Sequence, residues 1–503
     1  MNIHPFLFAL FPIFFLAAQN ADEVLFSDTV PWILASLIMT AGIMLIFWLA
    51  TRERKKAALM SSLFLILFFS YGHIAGISEE PWIRHRYLFG LWALIFSIGV
   101  AAIIKARISF RILTDMLNGA ACLLVLFSTL FLAAAHVREV DLSPEPPKTP
   151  QKIVDITKGR NPDIYYFLLD GYAHSQTLKE LYGYDNSPFI DYLSKKGFYV
   201  VAESRSNYSA TRFSLPSILH MDYAEHVIPA SMLSPETYNP RTLVQNHPVG
   251  RFLQENGYTY IHAGAQWDWT SHIAFADVNI NKRTVSDFAL MLYKSTALYP
   301  VSFRYDLFDP RREQWKRILF QFDKLAKISA RKEATFVFAH IGIPHPPFVF
   351  TPDGAFLKTN EEGQIEKRSH FLAHYPDQIA FLNKKLEILI DDIIAGSDIP
   401  PVIVLQSDHG SRIPPDVKTF EQIDDAYVRD RLRNFSALYL PEGETNLFNE
   451  EIVPYKTMTP VNTFRLIFNR YFGTAYPFLP DKSYLIVSWD KYKPIDVTDR
   501  AQF

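Results

Sequence analysis

The chain has 503 residues and a formal net charge of −2, with 20% charged and 49% hydrophobic residues. It is too long for one ordinary domain, and its near-neutral charge averages over two regions of different composition. The single cysteine, Cys122, excludes a disulfide framework and a cysteine zinc cluster, so a bound metal would need oxygen and histidine ligands. Apolar runs dominate up to about residue 136, whereas residues from about 160 onward have the mixed composition of a soluble domain.

Apolar runs near the N-terminus predict about five transmembrane helices. Four runs approach the roughly 20 residues that a helix needs to cross a bilayer core, and they are Thr29–Ala50, Ala57–Ile77, Tyr87–Ile104 and Met116–Ala135. The first run, Pro5–Gln19, is shorter. Because no Lys or Arg precedes it and no clear cleavage site follows it, we interpret it as a first span rather than as a signal peptide. Core helices of a soluble protein are the alternative, which apolar runs of this length disfavour.

The charged loops predict the orientation of these spans. Cytoplasmic loops collect Lys and Arg, and the loops before the third and fifth spans carry Arg52, Arg54, Lys55, Lys56, Lys105, Arg107 and Arg111. The alternate loops are acidic or weakly basic. With the N-terminus inside, everything after Ala135 is expected on the extracytoplasmic side of the cytoplasmic membrane.

A proline-rich stretch separates the two regions. The sequence SPEPPKTP, Ser143–Pro150, cannot form a regular helix, because proline removes backbone donors and favours extended neighbours. The predicted organisation is therefore a membrane domain over residues 1–136, a linker over 137–160 and an extracytoplasmic domain over 161–503.

Two acidic residues of the second region follow short apolar runs that predict buried strands. Residues 163–169 end at Asp170, and residues 401–406 lead into Ser407-Asp408-His409-Gly410. A predicted helix at Gln378–Ile394 and a predicted strand at Thr335–Phe338 extend the β/α alternation. This alternation predicts an α/β domain with a mostly parallel sheet covered by helices on both faces. Ligands bind beyond the carboxyl ends of such strands, so the two acidic loops are expected to converge.

The turn after the second strand indicates a metal site. A single Asp after a strand is usually a turn or cap residue. Asp408 followed by His409 and Gly410, however, places a carboxylate and an imidazole on one tight turn, a combination that suits zinc or manganese.

A run of small polar residues, Asn207–Pro216, leads into a helix predicted at Ser217–His220. One interpretation makes Thr211 an ordinary helix cap. The other makes it a nucleophile, because a hydroxyl beside a metal ion and a helix N-terminus loses its proton more easily.

The order of LLDG, NYSATRFSLPS, HIGIPHPPF and SDHG resembles the sulfatase-type domain of bacterial membrane enzymes of the alkaline phosphatase superfamily. Lipoteichoic acid synthases and lipid A phosphoethanolamine transferases are similar in also having five spans before the catalytic domain. The resemblance covers most of residues 160–480 in motif order. It implies an alkaline-phosphatase-like α/β/α fold.

The resemblance also implies a ligand set. Thr211 would be both the nucleophile and a metal ligand, and Asp170, Asp408 and His409 would complete a site for one divalent ion, zinc or manganese.

Three further residues are candidates for contact with the substrate. The resemblance implies that His345 faces the transferred phosphoryl group. His340 lies five residues before it, and Arg412, just past the Asp408-His409-Gly410 turn, is a candidate source of positive charge. The alternatives are packed, hydrogen-bonded histidines and a solvated arginine. Trp267 and Trp269 either line a pocket for a lipid headgroup or lie near the membrane.

Several departures leave the branch of the superfamily open. The first ligand is Asp170, where the transferases often have glutamate, and no histidine follows His409. The disulfides of those transferases cannot form here, and no motif for formylglycine is present, which disfavours sulfate ester hydrolysis.

The predicted function is that of a metal-dependent transferase that moves a phospho-alcohol group from a phospholipid-type donor to a glycan or lipid acceptor of the envelope. The alternatives are a phosphodiesterase or phosphatase that uses water, and a catalytically silent, membrane-anchored binding protein. No nucleic-acid partner is expected.

Overall fold

A computed structural model describes residues 2–20, 24, 26–75, 81–141, 162–228, 238, 240–282, 285–301, 309–329, 331, 333–358, 367–414, 423–441, 452–486 and 494–503. The chain forms two compact units. Unit 1 contains Met1–Leu142 and Thr284–Pro310, and unit 2 contains Ser143–Arg283 and Arg311–Phe503. The predicted linker lies largely outside the described residues, which end at residue 141 and resume at residue 162.

Unit 1 begins with five helices that coincide with the five apolar runs. They are α1 (His4–Gln19), α2 (Phe26–Thr51), α3 (Arg54–Ala75), α4 (Pro81–Lys105) and α5 (Arg111–Asp141). Among the described residues, α2 to α5 contain four stretches long and apolar enough to cross a membrane, which agrees with the four long predicted spans in length and composition. Helix α1 is apolar but has only 16 residues. Its crossing of the membrane stays a prediction.

Unit 2 contains strands β1 (Ile164–Leu169), β2 (Tyr199–Val200), β3 (Thr259–Ala263), β4 (Val278–Ile280), β5 (Thr335–Ile341), β6 (Val402–Gln406), β7 (Ser436–Tyr439), β8 (Tyr484–Leu485) and β9 (Ile495–Asp496). Its helices are α6 (Ser175–Tyr182), α7 (Ser187–Lys195), α8 (Thr211–His220), α9 (Ala224–Val227), α10 (Pro240–Val244), α11 (Pro248–Glu255), α12 (Asp268–Ser271), α14 (Pro310–Leu325), α15 (Arg368–Gly396), α16 (Asp425–Leu432) and α17 (Thr463–Phe472). Helix α13 (Asp287–Ser295) belongs to unit 1, which the sequence did not indicate.

The predicted mostly parallel sheet is confirmed. Seven strands lie in the order β2-β7-β6-β1-β5-β3-β4. Strand β1 pairs in parallel with β5 and β6, and β3 pairs in parallel with β4 and β5. Strand β7 is antiparallel to β6.

Helices cover both faces of this sheet because successive residues of a strand point to opposite sides. Tyr165 and Phe167 of β1 lie in one buried cluster with side chains of α14 and α15. Tyr166 and Leu168 lie in a second cluster with side chains of α8, α11 and α17. The central strands are therefore buried on both faces, which explains why they are continuous apolar runs rather than alternating ones.

Two predicted boundaries need correction. Helix α8 begins at Thr211 rather than at Ser217, and α15 begins at Arg368 rather than at Gln378. Each helix contains a proline, Pro216 or Pro376, which costs a backbone hydrogen bond and suggests an ending from sequence alone. Tertiary packing overrides that local preference, since both helices bury an apolar face against the sheet.

Candidate active site

The candidate site lies at the carboxyl edge of the three neighbouring strands β6, β1 and β5. Asp170 follows β1 directly, and Asp408 lies two residues after β6. Because these strands are parallel and adjacent, their carboxyl ends meet at one edge of the sheet. The expected convergence of the two acidic loops is thereby observed, and Asp170, Asp408 and His409 form a cluster whose ligand atoms all lie within 4.8 Å of one another.

The Nε2 atom of His409 lies at the centre of this cluster. It is 3.5 Å from Oδ1 of Asp170, 3.4 Å from Oδ2 of Asp408 and 3.3 Å from Oγ1 of Thr211. Ligand atoms at about 2.1 Å from a tetrahedral zinc ion lie about 3.4 Å apart. The three distances from Nε2 of His409 are therefore those expected between ligand atoms of one divalent ion.

Two carboxylate oxygens of the cluster support the same interpretation. Oδ1 of Asp170 and Oδ2 of Asp408 are buried, and neither has a hydrogen-bond partner among the described residues. Buried polar atoms are nearly always paired, so two unpaired oxygens that face one imidazole nitrogen are suited to hold a cation. The other oxygen of Asp408 accepts a hydrogen bond from the backbone N–H of Gly171, at 3.1 Å, which fixes the orientation of the carboxylate.

The tautomer of His409 also suits metal binding. Its Nδ1 atom lies 2.8 Å from the carbonyl oxygen of Gly410, which can only accept a hydrogen bond. Nδ1 therefore carries the proton, and the lone pair of Nε2 points toward the two carboxylates and Thr211. A hydrogen bond of this kind is the usual way in which a protein orients a ligating histidine.

Thr211 is the first residue of α8. The residue before it, Ala210, has an extended backbone, and no side chain caps the start of the helix. The N-terminus of a helix carries partial positive charge and unpaired N–H groups, which favour a bound anion. Oγ1 of Thr211 is thus placed between the carboxylate cluster and a site suited to an anionic ester.

The two buried carboxyl groups of the cluster, Asp170 and Asp408, would be stabilised in their ionised forms by a nearby cation. Burial, together with the neighbouring Asp408, raises the pKa of Asp170 to about 8. Burial also opposes ionisation of Asp408, but neighbouring groups, His409 first among them, outweigh it and hold the pKa of Asp408 below its ordinary value. In the absence of a cation, Asp170 therefore keeps a proton at neutral pH, and a divalent ion would displace that proton.

His340 lies in β5, fully buried, behind Asp170. Its Nε2 atom is 3.2 Å from Oδ2 of Asp170, the oxygen that does not face His409. The ring of Trp267 stacks on the ring of His340 with a centroid distance of 5.3 Å. Burial lowers the pKa of His340 to about 4, so the imidazole is neutral and orients the carboxylate. In this position His340 can orient the carboxylate of Asp170, whereas its burial in β5 makes direct contact with a substrate harder.

His345 lies on the loop after β5, and its backbone N–H donates to the carbonyl of Asp170 at 2.9 Å. Its ring centroid lies 6.2 Å from that of His409 and 5.3 Å from that of Trp267. Nδ1 donates to the carbonyl of Pro346 at 2.6 Å, which leaves the lone pair on Nε2. Burial lowers the pKa of His345, so this nitrogen is available as a base at neutral pH.

Arg412 lies on the turn after His409 in a left-handed backbone conformation, with φ of 60°. Burial and the neighbouring Arg431 lower its pKa, whereas Asp170 and Asp408 oppose that shift. The guanidinium remains cationic, since even a lowered arginine pKa stays far above neutrality. The acidic cluster thus has a cationic neighbour in an uncommon backbone conformation.

Asp430, which sequence reasoning missed, holds this turn in place. The buried carboxylate of Asp430 accepts a hydrogen bond from the hydroxyl of Ser411 and another, at 3.0 Å, from the backbone N–H of Ile413. These are the two residues that flank Arg412. No local signal marks Asp430, because an acidic residue near the end of an amphipathic helix is ordinarily exposed.

Two glycines allow the loops of the site to approach closely. Gly171 has φ of 71°, and a Cβ atom there would lie 3.3 Å from Cε1 of His409. A Cβ atom on Gly410 would overlap the carbonyl oxygen of Asp430. Glycine is therefore required after Asp170 by backbone conformation and after His409 by space.

The two tryptophan candidates, Trp267 and Trp269, lie in different parts of the domain. Trp267 contacts His340 and His345 at the site, whereas Trp269 is buried in the core on one face of the sheet.

Comparisons with known proteins add structural similarity only. No protein-family model matches the chain, and no curated protein matches its sequence. Among solved structures, the C-terminal periplasmic domain of EcEptC from Escherichia coli is 14% identical in sequence. The match covers 67% of this chain and 93% of that domain, with a TM-score of 0.42. The corresponding domain of the phosphoethanolamine transferase EptC from Campylobacter jejuni is 13% identical, with coverage of 67% and 95% and a TM-score of 0.38. An alkaline phosphatase superfamily protein from Vibrio parahaemolyticus is 10% identical, with coverage of 70% and 81% and a TM-score of 0.38.

Proposed function

We propose that the chain is a membrane-anchored, metal-dependent enzyme that transfers a phospho-alcohol group from a phospholipid-type donor to a glycan or lipid acceptor of the envelope. The observation that carries this proposal is the position of Oγ1 of Thr211, 3.3 Å from Nε2 of His409, at the uncapped start of a helix. A hydroxyl in this position is suited to nucleophilic attack on an anionic ester.

Asp170, Asp408, His409 and Thr211 would hold the ion, and zinc and manganese both suit this donor set. When bound, the ion would offset the charge of the two carboxylates and favour the ionised form of the Thr211 hydroxyl. The two unpaired carboxylate oxygens support this assignment.

The transfer would take two steps, with Thr211 as the attachment point. In the first step, Oγ1 of Thr211 loses its proton and bonds to phosphorus, and the lipid oxygen that leaves takes up a proton. In the second step, the acceptor hydroxyl loses its proton and bonds to phosphorus, and Thr211 regains one. The net reaction exchanges one alcohol for another on the same phosphorus, so the protons balance.

The neighbouring side chains have distinct parts in this sequence. The lone pair on Nε2 of His345 can take the proton of the acceptor hydroxyl. The guanidinium of Arg412 and the N–H groups at the start of α8 would hold the anionic oxygens of the phosphoryl group. His340 would keep the Asp170 carboxylate oriented through the bond to Oδ2.

A hydrolase that uses water as the acceptor shares every residue of this site and stays the alternative. A catalytically silent binding protein is less consistent with the site, because two buried oxygens without partners would then destabilise the fold without a compensating role.

Intact-mass spectrometry of the detergent-purified full chain tests the nucleophile. Wild type and Thr211→Ala would be incubated with zinc or manganese and a mixed bacterial phospholipid extract. A covalent phospho-alcohol adduct on wild type alone is expected, and its mass would identify the transferred group. Full turnover of donor by Thr211→Ala would overturn the proposal.

Isotope labelling separates transferase from hydrolase. In water enriched in oxygen-18, a hydrolase releases a labelled phospho-alcohol, whereas a transferase delivers an unlabelled group to the acceptor. Thr211→Ser is the matched control, because it keeps a hydroxyl at the same position and should retain adduct formation.

A further inference from the structure

An apolar groove lies within unit 1, outside the site described above. Its volume is about 380 Å³, and its walls include Phe8, Phe11 and Phe15 of α1 with Leu65 and Phe69 of α3. Binding sites for small ligands have volumes of this order. If a methylene group takes about the 30 Å³ that a water molecule occupies, the groove holds about a dozen such groups.

The lining of the groove extends over about two turns of each of the helices α1 and α3. Its lining residues extend from Phe8 to Leu16 on α1 and from Leu65 to His73 on α3. Eight residues of helix correspond to about 12 Å. The groove therefore has the length and the volume of a single hydrocarbon chain rather than of a compact ligand.

Polar side chains lie at only one end. Ser70 and His73 are near the end of α3, and Ser295 is at the end of α13. The opposite end of α3 begins at Arg54, in the basic segment that predicts the cytoplasmic side. With that orientation, the polar end of the groove faces the outer surface of the membrane.

A segment from the second half of the sequence helps to form that end. Phe288 and Leu292 of α13 are buried in one cluster with residues of α1 and α3. The backbone N–H of Ala297 donates to the carbonyl of Phe68 at 3.0 Å. A Cβ atom on Gly72 would overlap the end of α13, so glycine is what permits this contact. In chain order, α13 lies between β4 and α14, within the sequence of the proposed catalytic region.

We propose that this groove binds one acyl chain of the donor phospholipid, with the ester and phosphate groups of the lipid at the polar end. The inference rests on the proposed function for the identity of the lipid as donor. Water has no access to the apolar part of a bilayer, so the occupant must be hydrocarbon. A chain that moves from lipid into the groove gains little hydrophobic free energy, and the benefit of binding is the orientation of the donor.

A matched pair of substitutions on α3 tests the groove. Ile66 lines it, whereas Ile74 is absent from its lining, and the two side chains are 43% and 44% exposed. Ile66→Trp should fill the groove, and Ile74→Trp should add the same bulk elsewhere on the same helix. With a mixed bacterial phospholipid extract as donor, kcat/KM should fall about tenfold for Ile66→Trp and stay unchanged for Ile74→Trp.

A donor without acyl chains distinguishes groove binding from damage to the fold. Bis(p-nitrophenyl) phosphate has no chain to place, so its turnover should be equal in wild type and both variants. Equal loss with both donors in Ile66→Trp, or no loss with either, would overturn the groove assignment.

Photo-crosslinking tests whether an acyl chain occupies the groove, and the measurement does not depend on enzymatic activity. Phosphatidylethanolamine and phosphatidylglycerol with a diazirine at the middle of one acyl chain would be incorporated separately into vesicles with the full chain. Labelling of α1 and α3 peptides in wild type and Ile74→Trp, reduced several-fold in Ile66→Trp, is expected. Equal labelling in all three proteins would reject the groove. If wild type turns over neither donor but the labelling pattern holds, the proposed function fails while the acyl-chain site stands.

Discussion

Three buried hydroxyls of unit 1 and two buried carboxylates of unit 2 differ in where their polar atoms find partners. In the membrane helices of unit 1, the hydroxyls of Thr40, Ser61 and Ser128 donate to carbonyls four residues earlier, at 2.7, 2.8 and 2.9 Å. In the candidate site, buried oxygens of Asp170 and Asp408 have no such partner. A hydroxyl that its own helix satisfies can be buried at little cost, whereas converging carboxylates require a partner from outside the chain.

A threonine-to-valine substitution should have a large effect in the candidate site of unit 2 and a small effect in unit 1. Thr211→Val keeps the shape of a buried threonine but removes the proposed nucleophile, so turnover of donor should fall more than about 10³-fold. The measurement is steady-state turnover of a phospholipid donor by the full chain in detergent.

Ser214→Ala is the control for that experiment. Ser214 lies on α8 close to Thr211, but its hydroxyl donates to the carbonyl of Tyr208 at 2.9 Å and does not contact the cluster. It should retain activity within a few-fold. If Thr211→Val and Ser214→Ala lost similar amounts of turnover, the loss would reflect damage to α8 rather than removal of a nucleophile. The proposed difference between the hydroxyls of the two units would then be contradicted.

A double-mutant cycle tests whether Asp430 acts through Arg412. Arg412→Ala should lower kcat/KM about 100-fold, because it removes a cationic contact with the phosphoryl group. Asp430→Asn leaves one acceptor oxygen for two donors, so it should misplace the turn and cost about tenfold. The double variant should match Arg412→Ala alone, since Asp430 has nothing left to position.

Asp425→Asn is the matched control on the same helix. Asp425 is exposed, and its ion pair with Arg500 is of the surface type that contributes little. Additive losses in the Asp430 and Arg412 double variant would show that Asp430 is only a structural residue.

The pH dependence of stability tests the charge imbalance of the cluster. Asp170 has a pKa of about 8 in the folded chain and an ordinary value near 4 when unfolded. A raised folded pKa adds stability at low pH that is lost as pH rises through the folded pKa. The buried histidines of the site have lowered pKa values and act in the opposite sense, but only below about pH 6.5.

Chelator-treated protein should therefore lose stability between about pH 6.5 and 8, by up to about 1.4 kcal/mol per pH unit. Thermal midpoints from scanning fluorimetry would measure this loss. Added zinc or manganese should abolish it, and Asp170→Asn should lack it. If the thermal midpoint of the metal-free wild type did not change between about pH 6.5 and 8, Asp170 and Asp408 would not form the proposed cluster of buried carboxyl groups.

The smallest effect is expected in the membrane. Thr40→Val removes a hydroxyl that donates to the carbonyl of Ser36 in its own helix, so stability should change by about 1 kcal/mol or less and turnover should not change. Thermal midpoint and turnover of the purified protein measure both. A large loss would show that intrahelical hydroxyls in unit 1 have a role beyond their own helix.

Much of the site was predictable, because its residues follow strands that hydropathy reveals. Asp170 and the Asp408-His409 pair were placed at strand ends from sequence, and the observed parallel pairing of β1 with β6 brings those ends together. Thr211 was identified as a nucleophile candidate, although the start of its helix was misplaced by six residues because of Pro216. The roles assigned to Thr211, His345 and Arg412 remain predictions.

The amino-acid sequence alone predicts the apolar helices, the strand-end acids and the choice of oxygen and histidine ligands. These features depend on hydropathy, on local periodicity and on residue type, which are local properties of the chain. Tertiary structure decided that His340 bonds to Asp170, that Asp430 brackets Arg412 and that α13 packs among the membrane helices. Each of these depends on contacts between residues distant in sequence, which local patterns do not encode.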